Sequence, residues 1–393
     1  MKKLAIISTH PIQYNAPLFK LLQHRGSICI KVFYTWGDSV LRNKFDPGFK
    51  KNINWDIPLL EGYEHIFEKN LSHDPGSHHF RGIDNPELIQ HIEEWNADAI
   101  LVYGWRFKSH LRCLRYFHNK IPVYFRGDSN LIDDKKGLKN LIRTLFLKWV
   151  YSYVDVAFYV GSQNKKYYLK HGLKESQLVF APHAVDNMRF YDQNTVYTER
   201  AIEWRRRLNI ANDVLTFLFA GKLEAKKDPE LLIRAFLAIQ KPDSTLIIVG
   251  NGVLENNLKR KYSAENKIHF IDFQNQSMMP VVYRLGDIFV LPSAGPGETW
   301  GLCVNEAMAC SKSILVSNRV GCSVDLVVEG ENGYTFLAGN VNDLIHKMLL
   351  LYNRKYELIS MGKVSLDTIK QWDYDFIANR IEKELINSHA EFI

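Results

Sequence analysis

The chain has 393 residues, more than one hydrophobic core absorbs at roughly 150 residues per domain. Its composition, 46% hydrophobic, 12% aromatic and 24% charged, supplies large cores and excludes a fibrous or disordered protein. The net charge of +7 is unevenly spread: residues 1–185 carry 26 Lys and Arg against 17 Asp and Glu, and residues 186–393 carry 24 against 26. Residues 106–174 alone hold 15 basic and 4 acidic side chains, which points to an anionic partner, either an acidic membrane surface or a nucleic acid. No apolar run approaches the ~20 residues that span a bilayer. The opening MKKLAIISTHPIQY meets Pro11 before a signal-peptide core can form, so a cytoplasmic chain is expected. Cysteines at 29, 113, 303, 310 and 322 form no CxxC pair and read as reduced core thiols.

Short β-rich runs alternate with segments of helical period, the pattern of parallel sheets covered by crossover helices. In chain order the expected strands are 4–8, 28–34, 98–104, 122–127 and 155–161, then 215–221, 245–250, 267–273, 287–293 and 313–318. Several end in Gly, Ser or Asp, where such sheets place ligand loops. The architecture drawn from this is two doubly wound α/β domains facing one another. The first covers 1–188 and the second 189–370, and a last segment, 371–393, follows.

The densest signal is PSAGPGETWGLCVNEAMAC, residues 292–310. With a helix starting near Glu298, Glu298 and Glu306 would lie about 80° apart around it and roughly 12 Å along it, both able to face one long ligand. The N–H groups of Thr299, Trp300, Gly301 and Leu302 at that helix start suit a phosphate. An N-terminal acid with a solvated Glu farther along is the plainer alternative. FAGKLEAKKDPELLIRAF, 219–236, sets Lys222 and Lys227 after a strand, as a diphosphate clamp or a solvated basic turn. VGNG puts Gly250 and Gly252 in a turn that backbone can approach closely. It lacks the third glycine and the acidic ribose ligand of a dinucleotide site, which argues against NAD.

These motifs, with DIFVLPS, VGCSVDLVVEGENGYTF, STHPIQYNAPLF, PHAVDNMRF and QWDYDFIANRIEKEL, resemble the family 4 retaining glycosyltransferases of the GT-B fold. The resemblance is specific over 215–337 and looser elsewhere. It implies that Lys222 and Lys227 grip the diphosphate of a nucleotide-sugar, Glu306 holds the ribose, and Glu298 holds the transferred sugar. The base would meet the backbone around Asp272, Phe273 and Gln274, and the last segment would be a helix crossing back onto the first domain. It further implies metal-independent catalysis without a resident cofactor, and front-face attack with no dedicated base. Three departures stand out: Asp228 and Pro229 follow the second lysine where a glycine is usual, the helix after Glu306 ends in CSKS, and Thr9, His10, Pro11, Ile12 and Gln13 replace a glycine-rich loop.

In the first domain His10, Arg126 and Asp128 are the candidates for donor or acceptor contact. Arg126 would meet phosphate and Asp128 would orient the acceptor hydroxyl, or the two would simply hold a loop, and His10 has a capping or packed reading beside it. HDPGSHH, 73–79, is a conceivable metal cluster, better read as an acceptor loop. KKGLKNLIRTLFLKWVYSYV, 135–154, reads as an amphipathic helix for anionic lipid, or as a core helix with its apolar stripe at least partly buried. No nucleic-acid motif accompanies the charge. The expected function is a retaining glycosyltransferase acting on a glycan or lipid-linked acceptor in bacterial surface polysaccharide synthesis, peripheral on the cytoplasmic membrane. A non-catalytic membrane scaffold and a GT-B epimerase or phosphorylase are the alternatives.

Overall fold

A computed structural model describes residues 1–38, 44–46, 48–134 and 137–387. The chain divides into two units. One comprises 1–44, 58–183 and 374–393; the other comprises 45–57 and 184–373. The short segment 45–57 thus leaves the first unit's sequence and belongs to the second.

The first unit holds a sheet built on β1 (Lys2–Ser8), β2 (Ile28–Tyr34), β5 (Glu64–Phe67), β6 (Ala99–Tyr103), β7 (Val123–Arg126), β8 (Val156–Tyr159) and β9 (Leu178–Phe180), and the second unit's hairpin is β3 (Lys44–Asp46) with β4 (Lys51–Ile53). The order is β5-β2-β1-β6-β7-β8-β9, parallel throughout. The chain starts in the centre, builds outward through β2 and β5, then returns to β6 on the other side of β1. The C-terminal ends of β1 and β6 therefore flank the topological switch point, where loops of doubly wound sheets diverge and form ligand crevices.

His110 ties that edge together. Fully buried, its Nδ1–H donates to the carbonyls of Gly104 (2.9 Å) and Tyr103 (3.2 Å), and its Nε2 lies 2.9 Å from Thr35 Oγ1. Burial pushes its pKa down to about 4, and burial does the same for His171. The folded value lies below the ~6.5 of an unfolded histidine. The unfolded chain therefore takes up the proton first as pH falls, and stability is lost from about pH 6.5 downward toward 4. Urea midpoints measured at pH 7 and pH 4.5 should fall, and His110→Gln should make the fall smaller; an unchanged difference would remove His110 from this account.

The last helix, Tyr374–Asn387, packs on the first unit. It buries Ile377, Ala378, Ile381 and Leu385. Arg25 Nε donates to both oxygens of Glu382 at 3.1 Å, and Tyr374 donates to the carbonyl of Tyr14.

The second unit's main sheet runs β12 (Ile268–Ile271), β11 (Ser244–Val249), β10 (Leu215–Ala220), β13 (Ile288–Leu291), β14 (Ser313–Ser317) and β15 (Gly333–Phe336), again parallel. Every residue of β10, β11, β13 and β14 is buried, which is why these runs read as continuous apolar stretches rather than alternating ones. The switch point lies between β10 and β13, and the loops carrying Lys222, Lys227 and Glu298 leave from those two strands. The five cysteines are free thiols.

Candidate functional site

The loop after β10 makes a single 3-10 turn, Ala225–Lys227, and then enters the helix Pro229–Ile239. Asp228 sits between them in the left-handed region (φ 48°, ψ 50°), and its carboxylate caps the helix by accepting from the Leu231 N–H. Aspartate tolerates that conformation and supplies the cap. Lys227 is thereby delivered to Glu298: its Nζ pairs with Glu298 Oε2, and Ser293 Oγ donates to the same oxygen at 3.0 Å. Burial alone would pull the Lys227 pKa down, but the neighbouring Cys303 thiol and the Glu298 carboxylate outweigh it and hold the ammonium above its ordinary value.

Glu298 does not start a helix. The helix is Leu302–Ala309, entered from Gly301, so Glu298 lies in the preceding loop and its angular relation to Glu306 on a common helix does not hold. Gly301 explains the difference. Its φ is 98°, and a Cβ there would come within 2.9 Å of Val320 Cγ1 and 3.3 Å of Leu291 Cδ2, so the chain turns at this point instead of coiling. The loop is pinned from the other side by the Gly321 N–H on the Glu298 carbonyl (3.1 Å) and the Cys322 N–H on the Trp300 carbonyl (3.0 Å). The helix start, whose first N–H groups have no acceptor one turn earlier in the helix, falls at Leu302 and Cys303, later than the expected 299–302. The Trp300 indole is buried, donating to Asn305 Oδ1 at 2.9 Å and lying 5.4 Å from Trp372, so it supports the loop from within. Thr299 is partly exposed beside Glu298.

Glu306 is 2% exposed. The Tyr283 hydroxyl donates to its Oε2 at 2.6 Å, and Arg189 lies 3.9 Å from its Oε1. Neither partner was singled out in the sequence, although Arg189 stands within PHAVDNMRF. Gly250 takes φ 134°, and a Cβ would lie 2.0 Å from the Gly221 carbonyl oxygen. The close approach this glycine permits is thus to the loop that carries Lys222. At the end of β12 the Phe273 N–H donates to Asn251 Oδ1 at 2.7 Å. Gln274 Nε2 donates to the Asp272 carbonyl. Lys222 Nζ lies 3.0 and 3.1 Å from the two carboxylate oxygens of Asp46, from the 45–57 segment.

In the first unit Arg126 is 5% exposed and donates to the carbonyls of Ala181 (2.7 Å) and Pro182 (2.8 Å). These bonds correct the phosphate role: Arg126 holds the 181–182 loop. That loop presents His183, which sequence reasoning passed over and whose Nε2 lies 3.8 Å from Asp128 Oδ2. Burial pushes the His183 pKa down while Asp128 draws it back. His10 Nδ1 lies 2.9 Å from Thr9 Oγ1, and its ring packs edge-on against Trp36. In the 73–79 loop His78 and His79 Nε2 lie 3.0 and 3.2 Å from Asp74 Oδ2. This is the one His/Asp group among the described residues with metal-ligand spacing, and it lies on the surface.

The helix Leu138–Tyr151 departs from its core reading. Only Leu147, Val150 and Tyr151 are buried, while Leu138, Leu141, Ile142, Leu145, Phe146 and Trp149 are 40–73% exposed. Arg143 and Lys148 lie among them, and the Arg115 guanidinium stands 5.5 Å from the Trp149 ring. Lys135 and Lys136 lie outside the described residues. Among the described residues no helix is long and apolar enough to cross a membrane.

Residues 201–363 match the family of glycosyl transferases group 1. A D-inositol 3-phosphate glycosyltransferase of Corynebacterium aurimucosum is 29% identical over 47% of this chain and 45% of its own length. The N,N'-diacetylbacillosaminyl-diphospho-undecaprenol alpha-1,3-N-acetylgalactosaminyltransferase of Campylobacter jejuni is 25% identical over 67% of this chain and 70% of its own. Several curated relatives are matched over about half their length or less. Among solved structures, Anabaena HepE in complex with UDP and glucose superposes with a TM-score of 0.71 at 15% identity, covering 98% of this chain and 100% of that one. The two parallel sheets are those of the GT-B fold, and within the second unit residues 201–363 are similar to the group 1 glycosyl transferases.

Proposed function

We propose that the chain transfers a sugar, with retention, from a nucleoside diphosphate donor held by the second unit to a glycan or lipid-linked acceptor in bacterial surface polysaccharide synthesis. The observation that carries this reading is the meeting of Lys227 and Glu298 at the β10/β13 switch point, beside the start of the helix Leu302–Ala309. As the glycosidic bond breaks, negative charge grows on the departing diphosphate. A half-buried, protonated lysine and the N–H groups of a helix start are already in place to meet that charge, and such preorganised groups act chiefly in the transition state. Glu298, released from Lys227, is then available to accept from sugar hydroxyls. These groups do the work of a cation, so no metal or resident cofactor is assigned. UDP is bound in the HepE structure, and the name of the Campylobacter enzyme specifies an undecaprenol-linked sugar; both fit the donor and acceptor classes. Proton NMR of slow hydrolysis with UDP-, GDP- and ADP-sugars in EDTA should show one donor turned over with its anomeric configuration kept in the first-formed sugar. Inversion, or activity only on adding Mn²⁺, would overturn this mechanism.

The exposed face of Leu138–Tyr151 supports work at the cytoplasmic side of an anionic membrane. Its six apolar side chains, with basic neighbours worth ~1 kcal/mol each near acidic lipid, form an interfacial helix rather than a span. The chain should sediment with phosphatidylglycerol vesicles, less so at high salt, and Leu141→Glu/Leu145→Glu should leave it in the supernatant. Equal sedimentation of the two proteins would reject this surface.

A further inference from the structure

The segment 45–57 lies across the donor-side loops of the second unit at several points. Asp46 offers both carboxylate oxygens to Lys222 Nζ. Phe49 packs its ring against Phe273 with centroids 4.8 Å apart, and Trp55 approaches the same ring at 6.5 Å. Lys222 Nζ also sits 4.9 Å from the Phe49 ring. Farther along, the Asn275 side chain donates to the Asn54 carbonyl at 2.6 Å, and the Ser277 N–H donates to Asp56 at 3.1 Å. Lys51 pairs with Asp272 at 3.5 Å.

The chemistry of these contacts matches that of a nucleoside diphosphate. A carboxylate lies on the lysine assigned to the diphosphate, and an aromatic ring meets, edge to face, the Phe273 ring of the segment assigned to the base. Asp46 is built for its part: the Gly48 and Phe49 N–H groups donate to its Oδ1 at 2.7 and 3.0 Å. Against the upward pull of burial, Lys222 and those N–H groups hold its carboxyl below the usual range. Gly48 lies against the end of the Lys222 side chain, where a Cβ would fall 2.7 Å from Nζ.

We propose that the 45–57 segment is a built-in competitor for the donor, with Asp46 occupying the diphosphate position on Lys222 and Phe49 the base position beside Phe273. The inference rests on the donor-site reading given above. Donor binding must displace the segment, so the apparent affinity of the empty enzyme is reduced by the fraction of molecules in which the segment is seated. The segment thus sets a threshold donor concentration and keeps the phosphate-binding lysine neutralised when no donor is present.

The test is calorimetric titration of UDP, GDP and ADP into the full chain and into Asp46→Asn/Phe49→Ala, with Lys227→Ala as a control and circular dichroism to confirm folding. The double variant should bind its preferred nucleotide roughly tenfold more tightly. Unchanged or weaker binding in the double variant, with Lys227→Ala still weakening it, would overturn the proposal and leave the donor site standing. A Lys227→Ala protein that binds as well as the wild type would overturn the donor-site reading itself, and so would the absence of binding in every protein. As a second readout, saturating nucleotide should speed tryptic cleavage after Lys50 and Lys51 in the wild type. Slower cleavage would show the segment closing over the nucleotide instead, and would overturn the proposal.

Discussion

Replacing Lys227 by alanine is expected to lower kcat by about 10²- to 10³-fold, the loss seen when one preorganised charge-stabilising group is removed from a site. Its side chain is 13% exposed and its ammonium pairs with Glu298, so it enters the reaction already stripped of most water. Its electrostatic reach is correspondingly larger than that of a surface lysine. Because the charge it meets grows along the reaction, the loss should fall on kcat more than on KM. Truncation also leaves the Glu298 carboxylate, 10% exposed, without its partner. Lys227→Met therefore serves as a second variant that fills the volume, and it should lose the same rate. A change in KM alone would make Lys227 a ground-state binding residue, and near-normal turnover would remove it from the chemistry.

Glu306→Gln is expected to weaken nucleotide binding by roughly tenfold to a hundredfold, as truncation of a charged hydrogen-bond partner does. It should also abolish discrimination against a nucleotide lacking the ribose hydroxyls. Glutamine keeps the volume and can still accept from Tyr283, whose hydroxyl lies 2.6 Å from Oε2. What it loses is the negative charge facing Arg189 and the ability to accept at both oxygens. The comparison of UDP with 2′,3′-dideoxy-UDP separates the two roles open to a buried carboxylate. If Glu306 serves only to hold Tyr283 and Arg189, the variant will lower Tm while the wild type and the variant discriminate equally between the two nucleotides.

The central strands of both sheets were legible because they are buried on both faces and read as unbroken apolar runs. The edge strands Glu64–Phe67, Leu178–Phe180 and Gly333–Phe336 are short and only partly buried, and they left no such signature. Lys222, Lys227 and Glu298 could be named from their motifs, but their local geometry could not. The start of the helix at Leu302 depends on Gly301 meeting Val320 and Leu291, which lie elsewhere in the chain. Arg126 looked like a phosphate ligand because its sequence neighbours are a glycine and an aspartate; the carbonyls of Ala181 and Pro182 that capture it come from another loop. The solvent-facing apolar stripe of Leu138–Tyr151 was visible as a pattern. Its exposure was not, since the helix also has an apolar inner face in Leu147, Val150 and Tyr151. The placement of 45–57 on the second unit carried no periodic signal at all, resting on scattered contacts made by Asp46, Phe49, Lys51, Asn54, Trp55 and Asp56.

The most direct test of the donor-site account is the heat of binding of UDP, GDP and ADP to the intact chain in a chelating buffer, paired with the shift in Tm that bound ligand must produce by mass action. The account predicts that one nucleoside diphosphate binds with measurable heat and raises Tm, and that Lys227→Ala weakens both effects. Failure of all three nucleotides to bind, or equal binding by wild type and Lys227→Ala, would contradict it.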